Sequence, residues 1–161
     1  MVIVYSSNTG STERYAKMLS EKLSCTMVPT AKAKDLDKDE EIVFMSWIMS
    51  GTLQDYAAIK ESFSNIKAVC ATGLFTTAEK LDEVKEKNGI TEELFFLSGA
   101  FDINKLSGMY KMLMGMALKM IKSKLKESGD PKAKELAEKF EDGIDLVKEE
   151  NLDPVVALFA E

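Results

Sequence analysis

The chain has 161 residues, enough for one well-buried domain and short for two, and its 45% apolar and 30% charged content is that of a folded protein, not a disordered one. It contains no histidine, which removes the usual general base, the usual activator of a nucleophile and the commonest metal ligand, and with them hydrolase triads and zinc sites. Net charge is −6, yet six lysines and no acid lie between Lys105 and Lys126, leaving −12 on the remainder: an acidic body with one basic segment, for which no nucleic-acid partner is expected.

Val2–Ser6 is a short β-branched run with no basic, apolar leader ahead of it. No later run approaches membrane-spanning length, so a cytoplasmic location is expected. Directly after it comes Ser7-Asn8-Thr9-Gly10-Ser11-Thr12, and directly after that a helical pattern from Glu13 to Leu23. Alternating hydroxyls and a glycine that lets the backbone fold tightly give several inward-pointing O–H and N–H donors. The first turn of the following helix adds unpaired N–H groups and a partial positive charge. With no lysine or arginine inside the loop, an anion would be held by neutral donors arranged as a nest, which suits a phosphate monoester better than a nucleoside triphosphate. Neither G-x-x-x-x-G-K-[ST] nor G-x-G-x-x-G is present. The same residues also make an ordinary capped turn, so residue types alone leave both readings open.

Further apolar runs follow at Cys25–Val28, Glu41–Trp47, Ile66–Thr72 and Glu93–Ser98, with helical patterns at Leu53–Ser64 and Thr77–Lys87 and a charged connection at Thr30–Glu40. Cys25 and Cys70 fall inside these runs and read as buried free thiols. Strands alternating with amphipathic helices predict a single α/β domain over residues 1–161. Its doubly wound five-stranded parallel sheet, in the order 2-1-3-4-5, forms the middle of three α/β/α layers. That order places a ligand beyond the carboxyl ends of strands one and three. Two more loops belong to the same edge: Ser46-Trp47-Ile48-Met49-Ser50-Gly51-Thr52 and Gly73-Leu74-Phe75-Thr76. Trp47 and Phe75 either stack on a ligand there or cap the sheet edge.

After the fifth strand, Gly99-Ala100-Phe101-Asp102 leads into a helical stretch, Ser107–Leu125, that carries Met109, Met112, Met114, Met116 and Met120 with Lys111, Lys119, Lys122 and Lys126. Its apolar arc is wider than a half-buried surface helix requires. Either it packs on strand five, with methionine filling an irregular core, or it docks on an anionic membrane, a partner or a hydrophobic substrate through lysines such as Lys111, Lys119 and Lys122. A second helix is predicted from Pro131 to Glu150, and the tail Asn151–Glu161 is expected to pack back on the domain or at a dimer contact.

The order Ser/Thr-x-Thr-Gly-x-Thr at the end of the first strand, matched by Ser7, Thr9, Gly10 and Thr12, resembles the FMN-phosphate loop of flavodoxins. The resemblance implies a flavodoxin-like fold with FMN as cofactor, its phosphate within Ser6, Ser7, Asn8, Thr9, Gly10, Ser11 and Thr12. In flavodoxins the next two loops sandwich the isoalloxazine ring. Here that implies Ser46, Trp47, Ile48, Met49, Ser50 and Gly51 on one side and Gly73, Leu74, Phe75 and Thr76 on the other. The peptide at Gly51 or Gly73 is then the one placed to reorient toward flavin N5. Leu97–Lys124 also resembles, by composition, the menaquinone-dependent protoporphyrinogen oxidase branch of that superfamily. The implied role is an electron carrier between redox partner proteins. The alternatives are an FMN oxidoreductase acting on a porphyrinogen or a quinone, and an FMN-free module that works through protein contacts. No catalytic side chain and no metal ligand is implied.

Overall fold

The computed structural model describes residues 1–74, 76–127, 129, 131, 135, 138, 139 and 142–160; Phe75 and most of residues 132–141 of the predicted second helix lie outside the described residues. The chain divides into two compact units, Met1–Gly99 with Val147–Glu161, and Ala100–Leu146.

In the first unit the strands are β1 (Val2–Tyr5), β2 (Thr26–Pro29), β3 (Ile42–Met49), β4 (Thr52–Leu53), β5 (Ile66–Gly73) and β6 (Glu93–Ser98), and the helices are α1 (Ser11–Leu23), α2 (Tyr56–Ser62) and α3 (Ala78–Lys87). The parallel sheet runs β2-β1-β3-β5-β6, which is the predicted doubly wound order, and β4 adds an antiparallel partner to β3. Both faces are covered, which is why its strands read as unbroken apolar runs. On one face Ile3, Val43, Met45, Cys70 and Leu97 pack against Tyr15, Ala16 and Leu19 of α1 and against Leu152 and Val155 of the C-terminal segment. On the other, Val4, Phe44, Val69 and Ala71 meet Ala33, Tyr56, Ile59 and Ile90.

Helix α1 buries Thr12, Tyr15, Ala16 and Leu19, spaced i, i+3, i+4, i+7 as one helical stripe demands, and stops at Ser24, whose φ of 50° turns the chain out of the helix. The tail does pack back: Leu152 and Val155 have no exposed surface, and Val155 lies on a short terminal helix at Asp153–Leu158.

Four boundaries depart from the sequence reading. Between β2 and β3 the charged connection holds a 3-10 turn at Thr30–Asp35, not a loop throughout. The expected loop at 46–52 is mostly strand: β3 runs on to Met49 and turns back through Ser50 and Gly51 into β4, so α2 starts at Tyr56 instead of Leu53. Ser50 and Gly51 both have positive φ, 50° and 76°, the requirement of a two-residue hairpin whose twist matches its strands. Cys25 precedes β2 and is only half-buried, whereas Cys70 is fully buried and its thiol is pushed up to about 12 by desolvation. Finally, the helix predicted through Glu150 has ended before Ile144–Asp145, which is strand.

The second unit contains that strand, β8, paired antiparallel with β7 (Ala100–Phe101), and the long helix α4 (Gly108–Glu127). Asp102 caps the intervening 3-10 turn by accepting the Asn104 N–H at 2.8 Å.

Candidate functional site

The first site element is the turn from β1 into α1. Ser6 is still part of the sheet, its N–H donating to the Met45 carbonyl at 2.9 Å. The chain then leaves the sheet and curls back: the Gly10 N–H donates to Ser7 Oγ at 3.2 Å, and Gly10, at φ 97°, stands at the helix N-cap with open space where a side chain would be. The helical ladder begins only when the Arg14 N–H reaches the Gly10 carbonyl at 3.0 Å, so the N–H groups of the first turn precede it and face outward from the helix end. Ser11 and Thr12 are buried against the sheet edge, and Asn8 is exposed at the tip. The one acid of this turn, Glu13, accepts the Tyr5 hydroxyl at 3.2 Å. Burial and this carboxylate together raise the Tyr5 phenol.

Sheet register brings the other elements to the same edge. Tyr5 lies opposite Met45, Trp47 opposite Thr72, and Gly73 opposite Ser98, so β3 and β5 extend past the end of β1. Buried Ser46 spends its hydroxyl on the Gln54 carbonyl at 2.7 Å, tying β3 to the residue that follows β4. Half-buried Trp47 shares the strand parity of Val43 and Met45 and therefore the α1 face of the sheet, while Ile48 has the opposite parity.

Beyond the strand ends, Ile48, Ser50 and Gly51 of the hairpin come together with Gly73, Leu74 and Thr76 around a cavity of about 620 Å³, closed by Phe96 and by Lys80, Glu83, Val84 and Lys87 of α3. The hairpin tip is held firmly. Lys87 Nζ donates to the Ser50 carbonyl at 2.7 Å, Asn88 Nδ2 to the Gly51 carbonyl at 2.9 Å, and Asn88 Oδ1 accepts the Leu53 N–H at 2.9 Å. Met49 and Ser50 are exposed at its rim. A second cavity, of about 660 Å³ between Thr30–Lys38 and α2, contains none of the site residues expected from the sequence.

Two site residues were missed by sequence reasoning. Thr72 is 4% exposed, and its hydroxyl is the buried side-chain polar atom without a hydrogen-bond partner among the described residues. Gly99 follows β6 with its N–H on the Gly73 carbonyl at 2.7 Å; a Cβ there would stand 3.1 Å from Thr72 Cγ2 and 3.6 Å from Ser11 Cβ. Thr72, Gly99 and the first residue of α1 therefore converge. The available signal was a lone hydroxyl closing an otherwise apolar run at Ala71-Thr72-Gly73.

Just below this point Tyr15 pins the edge together. Its hydroxyl donates to the Ser98 carbonyl at 2.6 Å and accepts from Asn151 Nδ2 at 2.6 Å and the Lys148 N–H at 3.4 Å. It joins α1, β6 and the returning C-terminal segment within three residues of Thr12.

A flavodoxin domain family model matches residues 2–128. The chain belongs to the flavodoxin family. Comparison with curated protein sequences returned no match. The matched span takes in the whole parallel sheet of this flavodoxin-family chain, the turn at Ser6–Thr12, the hairpin and all of α4.

Proposed function

We propose that the chain binds FMN and serves as an electron carrier. The observation that carries this reading is the donor set at the carboxyl edge: a turn of neutral hydroxyls and forward-facing N–H groups at the α1 N-terminus, beside a buried Thr72 hydroxyl with no partner among the described residues. These residues fit a phosphate monoester continuing into a polar chain, because a buried hydroxyl left alone costs about 1–3 kcal/mol and a ligand polar group there removes that cost. Ser7, Thr9, Ser11 and Thr12 would hold the phosphate, with Gly10 allowing its close approach. The hairpin and the 73–76 segment, with Trp47 at the strand end, would flank the ring.

FMN supplies one- and two-electron redox chemistry when bound. The protein positions it and sets its field. With −12 on the chain outside 105–126, added negative charge at the site is opposed, which favours electron release, and basic partner surfaces are attracted. A second reading, a flavin oxidoreductase acting on a small organic acceptor such as a quinone, is favoured by one observation. The 620 Å³ cavity has an apolar floor at Ile48, Val84 and Phe96 and lysines at its rim, a lining suited to a planar molecule.

Thr72→Val tests the site. Removing an unsatisfied buried hydroxyl should leave the FMN-free protein as stable as before or slightly more so, while FMN affinity falls about tenfold, in line with one hydrogen bond of roughly 1.5 kcal/mol. Unchanged affinity in isothermal titration would contradict the assignment.

A further inference from the structure

Besides Tyr110, which is 47% exposed, five aliphatic side chains of α4 stand in solvent: Met109 is 70% exposed, Met112 60%, Leu113 52%, Met116 60% and Met120 63%. At about 100° per residue they fall within one arc roughly 100° wide, a straight stripe along the helix, with buried Leu118 on the opposite side. The same projection puts Lys119 and Lys126 along one flank of the stripe and Lys124 along the other. Lys111 and Lys122 fall toward Leu118. No acid occurs between Lys105 and Lys126, and Glu127, the last residue of α4, ends the stripe at its C-terminal tip. An apolar stripe bordered by cations on both sides is the pattern of a helix lying in a membrane interface. No helix among the described residues is long and apolar enough to cross a membrane, so the geometry is that of lying on one.

We propose that α4 docks lengthwise on an anionic lipid surface, with its methionine stripe in the acyl boundary and Lys119, Lys124 and Lys126 on the headgroups. Charge complementarity decides the occupant. A second copy of the helix would set lysines against lysines, whereas an anionic leaflet attracts every one of them. The stripe itself is aliphatic, with exposed Tyr110 beyond its edge and not at its centre where protein interfaces place an aromatic anchor, and unbranched methionine adapts to a fluid layer that imposes no shape. This inference does not depend on flavin binding.

The test is sedimentation of the full chain with phosphatidylglycerol-containing vesicles and with phosphatidylcholine vesicles, at low and high salt. Binding to the anionic vesicles only, weakened by salt, is expected. Met112→Glu, Met116→Glu and Met120→Glu should each lower the partition coefficient about tenfold. Lys119→Glu, Lys124→Glu and Lys126→Glu should each lower it about fivefold or more. The matched charge change Lys32→Glu, Lys34→Glu and Lys38→Glu, in the other unit, should leave it unchanged. Absence of pelleting with either vesicle overturns the proposal. So does a lipid-free dimer broken by the methionine substitutions, which would assign the stripe to a second copy. Methionine variants that melt early yet bind vesicles as the native chain does would also overturn it.

Discussion

The carboxyl edge of the sheet and the helix α4 use their side chains in opposite ways. Below the donor turn, several polar groups of the edge are committed inside the protein: Tyr15 to three partners, Asn88 to the hairpin backbone, Ser46 to Gln54. The Thr72 hydroxyl stands out there as a buried side-chain polar atom without a hydrogen-bond partner among the described residues. Along α4, apolar side chains that a fold normally spends on its core are left in water. The lesson is that a site shows itself through what its own unit leaves unsatisfied, a polar atom in one region and an apolar face in the other.

The comparison can be broken most forcefully at Tyr15. Tyr15→Phe removes the hydrogen bonds to the Ser98 carbonyl and from the Asn151 amide in a part-buried position and should cost about 1–2 kcal/mol in urea unfolding. If that edge tolerates the change without loss, its hydrogen bonding is incidental.

A smaller, pH-dependent effect belongs to the opposite face. Tyr56 donates to Glu92 at 2.7 Å, and the Thr91 N–H donates to the same carboxylate at 2.9 Å. Burial by itself would raise the Glu92 carboxyl; the hydrogen bonds from Tyr56 and the backbone, with Lys60 nearby, hold it below its ordinary value of 4.5. A carboxyl lowered in the folded state stabilises above its unfolded value, and that contribution fades as pH falls through the lower folded value. Tyr56→Phe should therefore lose about 1 kcal/mol at neutral pH, and the gap to the native chain should narrow in acid. A gap independent of pH would contradict the linkage.

The smallest effect is expected on α4. Replacing Met112, Met116 and Met120 together with Gln should change folding stability by no more than about 0.5 kcal/mol, because the side chains are already in solvent. A large loss in thermal unfolding would mean that the stripe is covered, and the contrast between the two regions would collapse.

Most of the sheet was legible in the sequence because its strands are buried on both faces and therefore read as continuous apolar runs. Val2–Tyr5, Ile66–Gly73 and Glu93–Ser98 lie within a residue of their predicted limits. The turn at Ser7–Thr12 was legible as a turn because a glycine among short hydroxyl and amide side chains favours one. What escaped depends on pairing at a distance. The hairpin at Ser50–Gly51 lacks the asparagine-glycine pair that announces such turns, and its tip is held by Lys87 and Asn88, far along the chain. Thr72 and Gly99 meet only because β5 and β6 are neighbours, and neither residue type signals that meeting by itself. Pro131–Glu150 carried a helical pattern, yet Ile144 and Asp145, in the second unit, pair with β7, a choice made by a partner more than forty residues away.

The most direct test of the flavin reading is the visible absorption spectrum of the purified protein after addition of FMN and gel filtration, for the native chain and for Thr9→Asp, which sets a negative charge in the turn where the phosphate is proposed to sit. The account predicts a retained two-banded flavin spectrum for the native chain and its loss in the variant. A native chain that emerges colourless would contradict FMN binding altogether, and a variant that keeps the spectrum would contradict the placement of the phosphate at Ser7–Thr12.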